Sequence, residues 1–210
     1  MPVVLANTEM PVWSKLRRYS TYEVAPDQEL RIPAEHPNAR LLTMSGMCIA
    51  KSGRRKTALW PQQFLDAELG SDGFFVVGTR QHCKLMLFEG TWPEGVGACG
   101  VYEIFPDAAN PNNGDPFDYP KSTNFDSHYH DFDEYWMILA GRCEVVIGPT
   151  HFDAGPGDCV VLGLGHHHDI TKIDGSILFG FFQTLPEGAG RSGHLWEHTH
   201  GKAHPDPARL

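Results

Sequence analysis

The chain has 210 residues, of which 41% are hydrophobic, enough apolar material to fill the core of a globular protein. Its 26 acidic residues against 17 basic ones give a formal net charge of -9, which disfavours a nucleic-acid partner. The sequence has no apolar run long enough to span a membrane and no CxxC pair among its five cysteines, and its first residues do not resemble a secretion signal. We therefore predict a cytoplasmic protein with reduced thiols that binds neither nucleic acid nor membrane.

Short apolar runs separated by glycine and proline predict β-strands in the first half of the chain, for example at Gly73–Val77 and Lys84–Phe88. Two short helices are predicted at Pro11–Tyr19 and Pro61–Leu69, the second because it starts with proline and ends before a glycine. This half contains no histidine motif. We expect residues 1–97 to form a β-rich extension packed on a barrel, with a degenerate first barrel as the alternative.

The second half is more regular, and its predicted strands are Gly100–Phe105, Tyr135–Leu139, Cys143–Ile147, Cys159–Leu162 and Ile177–Phe182. Many short strands with turns between them are typical of a sandwich or barrel. The segment Asp107–Ser122 is rich in Pro, Asn, Asp and Gly, and is predicted to be a long loop, either a pocket lid or a connector. Residues 191–210 contain four histidines, and we predict a polar, mobile tail there rather than a second metal site.

The segment from His128 to Gly141 carries the strongest chemical pattern. Side chains alternate between the faces of an extended strand, so His128 and His130 point the same way, and Glu134 shares their parity. Two imidazoles and a carboxylate on one face can hold a divalent metal and leave coordination positions free. Residues 140–142 then form a turn that would hold these ligands on a rigid hairpin.

A second segment brings three more histidines into consideration. Pro156-Gly157 suits a turn, an apolar strand follows, and a glycine-containing turn leads to His166, His167 and His168. These turns would thereby bring one or more of the three histidines close to His128, His130 and Glu134.

Together the two segments resemble the signature motifs of the cupin superfamily. Residues 128–141 fit the first motif, HxHx(3,4)Ex(6)G, without a gap. Counting from Gly157 places His168 at the histidine of the second motif, although Gly163 stands where the family has proline. The resemblance extends over about residues 98–185.

The resemblance implies an all-β fold, a cupin double-stranded β-helix (a jelly-roll barrel) over residues 98–190, with extra N-terminal strands and short helices. It implies one divalent transition metal (Fe, Mn, Zn, Ni or Co) and a homodimer. Cellular availability decides the metal, because imidazole sites bind several of these ions. The implied ligands are His128, His130, Glu134 and His168, with His166 as the alternative for the last.

A small-molecule substrate and three classes of function follow. The leading prediction is an isomerase, epimerase or lyase that acts on a sugar or organic acid, similar to the metal-dependent cupin sugar isomerases, in which the metal lowers the cost of an enediolate. Tyr102 and Glu103 alternate on a strand, so one faces the interior as a candidate acid or base. The alternatives are an Fe(II)-dependent cupin dioxygenase and a non-enzymatic cupin that binds a metal or ligand.

Overall fold

The computed structural model describes residues 3–4, 9–106, 114–188 and 192–209. In chain order its strands are β1 (Val3–Val4), β2 (Leu16–Val24), β3 (Glu29–Pro33), β4 (Asn38–Ser45), β5 (Cys48–Ser52), β6 (Arg55–Leu59), β7 (Phe64–Asp66), β8 (Gly73–Gly78), β9 (Cys83–Gly90), β10 (Val96–Ile104), β11 (Asp133–Ala140), β12 (Cys143–Ile147), β13 (Thr150–Ala154), β14 (Cys159–Leu162), β15 (His168–Ile173) and β16 (Ile177–Thr184). The helical elements described are α1 (Glu197–His200) and a 3-10 turn at Pro207–Arg209. The all-β prediction is confirmed.

The chain divides into two compact units. The N-terminal unit is Lys15–Pro93, and the C-terminal unit is Glu94–Leu210 together with Met1–Ser14. None of the helices described in either unit is long and apolar enough to cross a membrane.

The N-terminal unit consists of two four-stranded antiparallel sheets, with strand orders β2-β9-β4-β7 and β3-β8-β5-β6. Strand β8 shows why they pack: Phe74 and Val76 are buried, whereas Phe75 between them faces outward and is 40% exposed. The unit has its own buried core. Whether this unit is an extension of a barrel or a degenerate first barrel remains a prediction.

The two predicted helices are wrong. Pro11–Tyr19 leads into β2, which pairs with β9 over its whole length. Pro61 enters a turn in which Gln62 has a φ of 69°, and the chain then forms β7 and pairs with β4. Each segment instead forms backbone hydrogen bonds with a distant strand of a sheet. The local helix signals failed because they take no account of such distant partners.

The C-terminal unit has a five-stranded sheet of order β1-β14-β11-β16-β10 and a three-stranded sheet of order β13-β12-β15. Buried side chains of both sheets form one core, including Trp136 and Phe179 from the larger sheet and Val145 and Ile170 from the smaller. Strands β11 and β16 pair so that Glu134 lies opposite Gln183. This register places two polar side chains beside an otherwise apolar interior.

The part of the predicted loop that the structure describes, residues 114–122, is tied to the smaller sheet. Lys121 Nζ lies 2.6 Å from Asp169 Oδ1, and both side chains are buried. The Tyr119 hydroxyl donates to the other oxygen of the same carboxylate at 2.8 Å. Residues 107–113 lie outside the described part of the chain, so the lid prediction is not tested there.

Residues 192–209, which we call the C-terminal strap, are packed on the C-terminal unit, so the prediction of a mobile tail is wrong. Tyr129 and Leu195 exchange two backbone hydrogen bonds of 3.0 and 2.9 Å. Near the end of the strap, Arg209 Nη1 donates to both oxygens of the buried Asp133 carboxylate at 2.8 and 2.6 Å. A Cβ at Gly163 would lie 2.4 Å from the Arg209 carbonyl oxygen, which explains the glycine at this motif position.

Replacing Arg209 with alanine leaves the Asp133 carboxylate buried with only the Leu164 N–H as a described hydrogen-bond donor. We expect a loss of about 2 kcal/mol in the free energy of unfolding and faster proteolysis within the strap. Urea denaturation and limited proteolysis measure both effects. Lys202→Ala, at an exposed position of the same strap, is the control and should change neither; equal behaviour of the two variants would contradict the docking role of Arg209.

Candidate metal centre

Three of the predicted ligands meet at one point in the C-terminal unit. His128 and His168 form an isolated antiparallel bridge, and His130 follows two residues after His128. The Nε2 atom of His128 lies 3.1 Å from Nε2 of His130 and 3.1 Å from Nε2 of His168. All three residues are at most 2% exposed. The strand parity argued from the sequence therefore places both members of the HxH pair at one site.

Backbone carbonyls determine which nitrogen carries the hydrogen in two of these rings. His128 Nδ1 lies 2.7 Å from the Asp126 carbonyl oxygen, and His168 Nδ1 lies 2.8 Å from the His166 carbonyl oxygen. A carbonyl oxygen can only accept, so both Nδ1 atoms donate, and in a neutral ring Nε2 keeps a lone pair. Two lone pairs thus face each other across 3.1 Å.

The rings of His128 and His168 are held neutral. Burial, and to a smaller extent nearby His194, lower the pKa of His128 to about 4, although the Asp126 carboxylate opposes the shift. Burial also lowers the pKa of His168 well below its usual value, and the neighbouring His128 adds to the effect. Neutral imidazole is the form that binds a metal.

The spacing of the three nitrogens fits a divalent transition metal. Metal–nitrogen bonds of about 2.0–2.1 Å at angles between octahedral and tetrahedral place neighbouring nitrogens about 2.8–3.4 Å apart. The observed 3.1 Å separations lie in this range. A cation between the lone pairs would also remove their repulsion, so the donor set suits such an ion in both chemistry and spacing.

Glu134, the fourth predicted ligand, lies next to this cluster but is not among the groups whose ligand atoms converge. Its Oε1 accepts a hydrogen bond from Gln183 Nε2 at 2.7 Å, and its Oε2 lies 3.4 Å from His130 Nδ1. The carboxylate therefore lies beside the His130 ring. Its role as a direct ligand remains a prediction.

The structure brings His168, and not His166, to the other two histidines. His166 Nε2 donates to the Asp206 carbonyl oxygen at 2.8 Å, so this side chain points to the C-terminal strap. The parity argument for His166 required an extended segment. The chain instead turns at Gly165, where φ is 78°, and the His166 N–H donates to the Gly163 carbonyl.

His167 turns outward to Asp115, which ties the strap to the site. Asp115 Oδ2 accepts from His167 Nε2 at 2.9 Å and from the Glu197 backbone N–H at 2.7 Å. Burial alone would raise the pKa of Asp115, but these hydrogen bonds and those from His198 lower it to about 2. Asp115 is thus ionised at neutral pH and holds the strap in place.

A cavity of about 570 Å³ reaches the cluster at His128. Trp136, Phe179 and Phe181 form an aromatic wall, and Asn124 and Gln183 add polar groups. His128 and Glu134 line it as well, and no lysine or arginine is among the described lining residues. The cavity therefore suits a small ligand with little or no negative charge. Any negative charge on the ligand would have to be neutralised by a bound metal.

Of the two candidate acid–base residues, Tyr102 is the better placed. It lies opposite Phe179 in the β10–β16 pairing, contacts the rings of Phe179 and Phe181, and is 59% exposed at the cavity rim. Glu103 also borders the cavity, but its carboxylate accepts a hydrogen bond from the Ser176 hydroxyl at 3.2 Å. Both side chains are exposed, so the prediction that one of them faces the interior is wrong, and an acid–base role for either remains a prediction.

Two residues at the site were not predicted, namely His194 and Asp126. The His194 ring stacks on the His128 ring with centroids 3.7 Å apart and planes 7° apart. Asp126 Oδ2 accepts from His194 Nδ1 and from Trp196 Nε1, both at 3.0 Å. Asp126 lies two residues before His128, so strand alternation would have placed it on the same face as the HxH pair and could have predicted its presence at the site. Nothing in the local sequence indicated that the strap returns to the cavity.

Low pKa values at His128 and His168 predict weak competition between protons and metal. Between pH 7.5 and 5.5 the metal affinity should fall by no more than about tenfold. If all three histidines had an ordinary pKa near 6.5, protonation of each would lower the affinity about tenfold, or about a thousandfold in total. Competition titrations with a calibrated chelator at both pH values measure this ratio. A fall of about a thousandfold would show that the rings titrate normally and would contradict the described environment.

Comparison with known proteins shows one close sequence relative. The chain is 41% identical, over 211 aligned residues, to the uncharacterized protein y4oW of Sinorhizobium fredii, and the alignment covers 100% of this chain and 97% of the relative. No protein-family model matches the chain.

Solved structures with a similar fold are more distant in sequence. AerE from Microcystis aeruginosa has a TM-score of 0.53 at 13% identity, over 82% of this chain and 89% of its own. Bacillus subtilis oxalate decarboxylase, a protein with Mn(II) centres, has a TM-score of 0.58 at 10% identity, over 89% and 73%. Hazelnut (Corylus avellana) vicilin has a TM-score of 0.54 at 8% identity, over 84% and 77%. The chain therefore belongs to the family of y4oW, and its fold is that of the cupin superfamily.

Proposed function

We propose that the C-terminal unit binds one divalent transition metal and uses it to transform a small, oxygen-rich metabolite, with isomerisation, epimerisation or elimination as the leading reaction class. The observation that carries the proposal is the position of the His128 Nε2 atom, 3.1 Å from Nε2 of His130 and 3.1 Å from Nε2 of His168, beside a cavity. His128 and His168 are fixed as lone-pair donors by backbone carbonyls. These three residues would hold the metal, with Glu134 as the predicted fourth ligand.

When bound, the metal would act as a Lewis acid that polarises a substrate carbonyl and makes the neighbouring C–H more acidic. Manganese is a reasonable first ion to test, since oxalate decarboxylase shares the fold and has Mn(II) centres. Imidazole-rich sites also accept iron, cobalt, nickel and zinc, so the ion is a matter for measurement.

The protein's own groups suit a polar but weakly charged substrate. Gln183 holds Glu134 in place through the 2.7 Å hydrogen bond, and Asn124 offers a further donor and acceptor. Tyr102 stands at the rim, where its hydroxyl can donate a hydrogen bond or pass a proton. A sugar or a singly charged organic acid fits this lining better than a phosphosugar, because the described lining offers no cationic side chain for a phosphate.

Fe(II)-dependent dioxygenation is the second candidate, and the aromatic wall favours it. Trp136, Phe179 and Phe181 would pack against a flat or apolar organic substrate. The two candidates differ in a measurable way, since dioxygenation consumes oxygen whereas isomerisation moves a proton and leaves oxygen untouched.

Metal content is measured first, on protein purified without an affinity tag and reloaded with each ion in turn. Wild type should retain about one equivalent of one ion after desalting, and His130→Ala should retain almost none, because the ring that completes the cluster is gone. His204→Ala, which removes an exposed histidine of the strap, should bind like the wild type. Equal retention by the wild type and by the His130→Ala variant would refute the proposed site.

The reaction class is then tested on the loaded protein. Sugars and 2-hydroxy or 2-oxo acids are incubated in D₂O and followed by NMR, and oxygen uptake is recorded in parallel. Deuterium incorporation next to a carbonyl without oxygen uptake supports the leading class, and oxygen uptake supports the second. Binding of ligands with neither outcome would leave a non-enzymatic cupin as the better description.

A further inference from the structure

The His194 ring lies beside the histidine cluster without pointing into it. It stacks on the His128 ring with centroids 3.7 Å apart and planes 7° apart. Asp126 Oδ2 lies 3.0 Å from His194 Nδ1 and 3.5 Å from His128 Nδ1, so both rings turn the same edge to one carboxylate. Their Nε2 atoms therefore point in parallel directions. His128 Nε2 points at the cluster, whereas His194 Nε2 points past it along one side.

The Nε2 atom of His194 is available to a ligand in the cavity. Nδ1 donates to the Asp126 carboxylate, so the neutral ring keeps its lone pair on Nε2. Within the described part of the chain, no residue forms a hydrogen bond with this Nε2 atom. The His194 side chain is 42% exposed and lines the cavity that reaches His128. A hydrogen-bond acceptor is thus placed beside the metal site.

The surrounding contacts hold this acceptor in place. Leu195 exchanges two backbone hydrogen bonds with Tyr129, which fixes the strap next to His194. Trp196 Nε1 donates to the same Asp126 oxygen that accepts from His194, at 3.0 Å. A side chain that is already oriented loses little freedom when a ligand binds to it, so its hydrogen bond contributes more to affinity.

A second metal between Asp126, His128 and His194 fits the contacts less well, although a ligand atom of each lies close to the others. The Asp126 Oδ2 atom already accepts two N–H groups, from His194 and Trp196. His128 Nδ1 donates to a carbonyl, so the lone pair of this ring lies at Nε2, within the cluster. The pair of His194 and Asp126 therefore suits an organic ligand better than an ion.

The chemistry of this acceptor selects a hydroxyl group on the ligand. A neutral Nε2 atom accepts a hydrogen bond, and a hydroxyl can donate one, whereas a ketone, ether or carboxylate oxygen can only accept. The amides of Asn124 and Gln183, which also line the cavity, offer both donors and acceptors and do not discriminate in this way. A site that pairs with a ligand hydroxyl disfavours the analogue that lacks it, because its own polar group is then left unpaired.

We infer that His194, oriented by Asp126, recognises the ligand by accepting a hydrogen bond from a hydroxyl next to the group that the metal binds. This rests on the metal site proposed above. It narrows the oxygen-rich metabolite to hydroxy acids and hydroxy carbonyl compounds, and it makes the C-terminal strap part of the specificity of the site.

The test compares glycolate with methoxyacetate, which offer a metal the same arrangement of oxygens but differ in the hydroxyl hydrogen. Binding to protein loaded with one equivalent of Zn(II) is measured by isothermal titration calorimetry at pH 8. Wild type should bind glycolate more tightly. His194→Phe, which keeps an aromatic ring against His128, should lower the ratio of glycolate to methoxyacetate affinity about fivefold or more.

Two further variants serve as controls for that ratio. His194→Gln has an amide oxygen that can accept from a hydroxyl, so it should lower the ratio less than His194→Phe does. His204→Ala, which removes an exposed histidine of the same strap, should leave the ratio unchanged. The ratio is the deciding quantity, because a disturbance of packing would alter the affinity for both ligands alike.

An unchanged ratio in the His194→Phe variant, or no binding of either ligand by the loaded wild type, would overturn the inference. The proposed function fails separately, because it is lost if His130→Ala keeps its metal. The His194→Phe variant should still retain about one equivalent, since the ligand atoms of His128, His130 and His168 converge without His194.

Discussion

Two unprotonated nitrogens face each other at the centre of the C-terminal unit, and the rest of the site depends on this contact. The Nε2 atoms of His128 and His168 are 3.1 Å apart, and backbone carbonyls hold the hydrogen of each ring on Nδ1. Burial lowers the pKa of both rings, so protonation is a costly way to relieve the repulsion. A divalent cation between the nitrogens resolves the conflict, and His130 completes a donor set around it.

The fold supplies this arrangement by attaching the ligands to rigid β-structure and closing the site with the end of the chain. The His128–His168 bridge joins the segment before β11 to the start of β15, which fixes the spacing of the two rings. Glycine at position 163 leaves room for the backbone of Arg209. Arg209 in turn neutralises the buried Asp133 beside Glu134. The departure from the second cupin motif therefore accommodates the strap, which brings His194 to the cavity.

The sequence predicted the features that depend on local spacing. The β-rich class, the strand runs and the placement of His128 and His130 all follow from periods of two residues and from turn signals. The choice of His168 came from the cupin motif, because strand parity could not separate it from His166 at the Gly165 turn. Helices were predicted wrongly where sheet pairing outweighed a proline or glycine signal. The contact between His194 and His128, 66 positions apart in the chain, depends on tertiary packing that no local pattern encodes.

The most direct test of the metal site is a crystal structure of the reloaded protein with diffraction data collected on both sides of the absorption edge of the bound metal. The account predicts one anomalous peak within bonding distance of the Nε2 atoms of His128, His130 and His168. A peak confined to the exposed histidines of the strap, or clear density for three apposed rings with no peak between them after reloading, would contradict it.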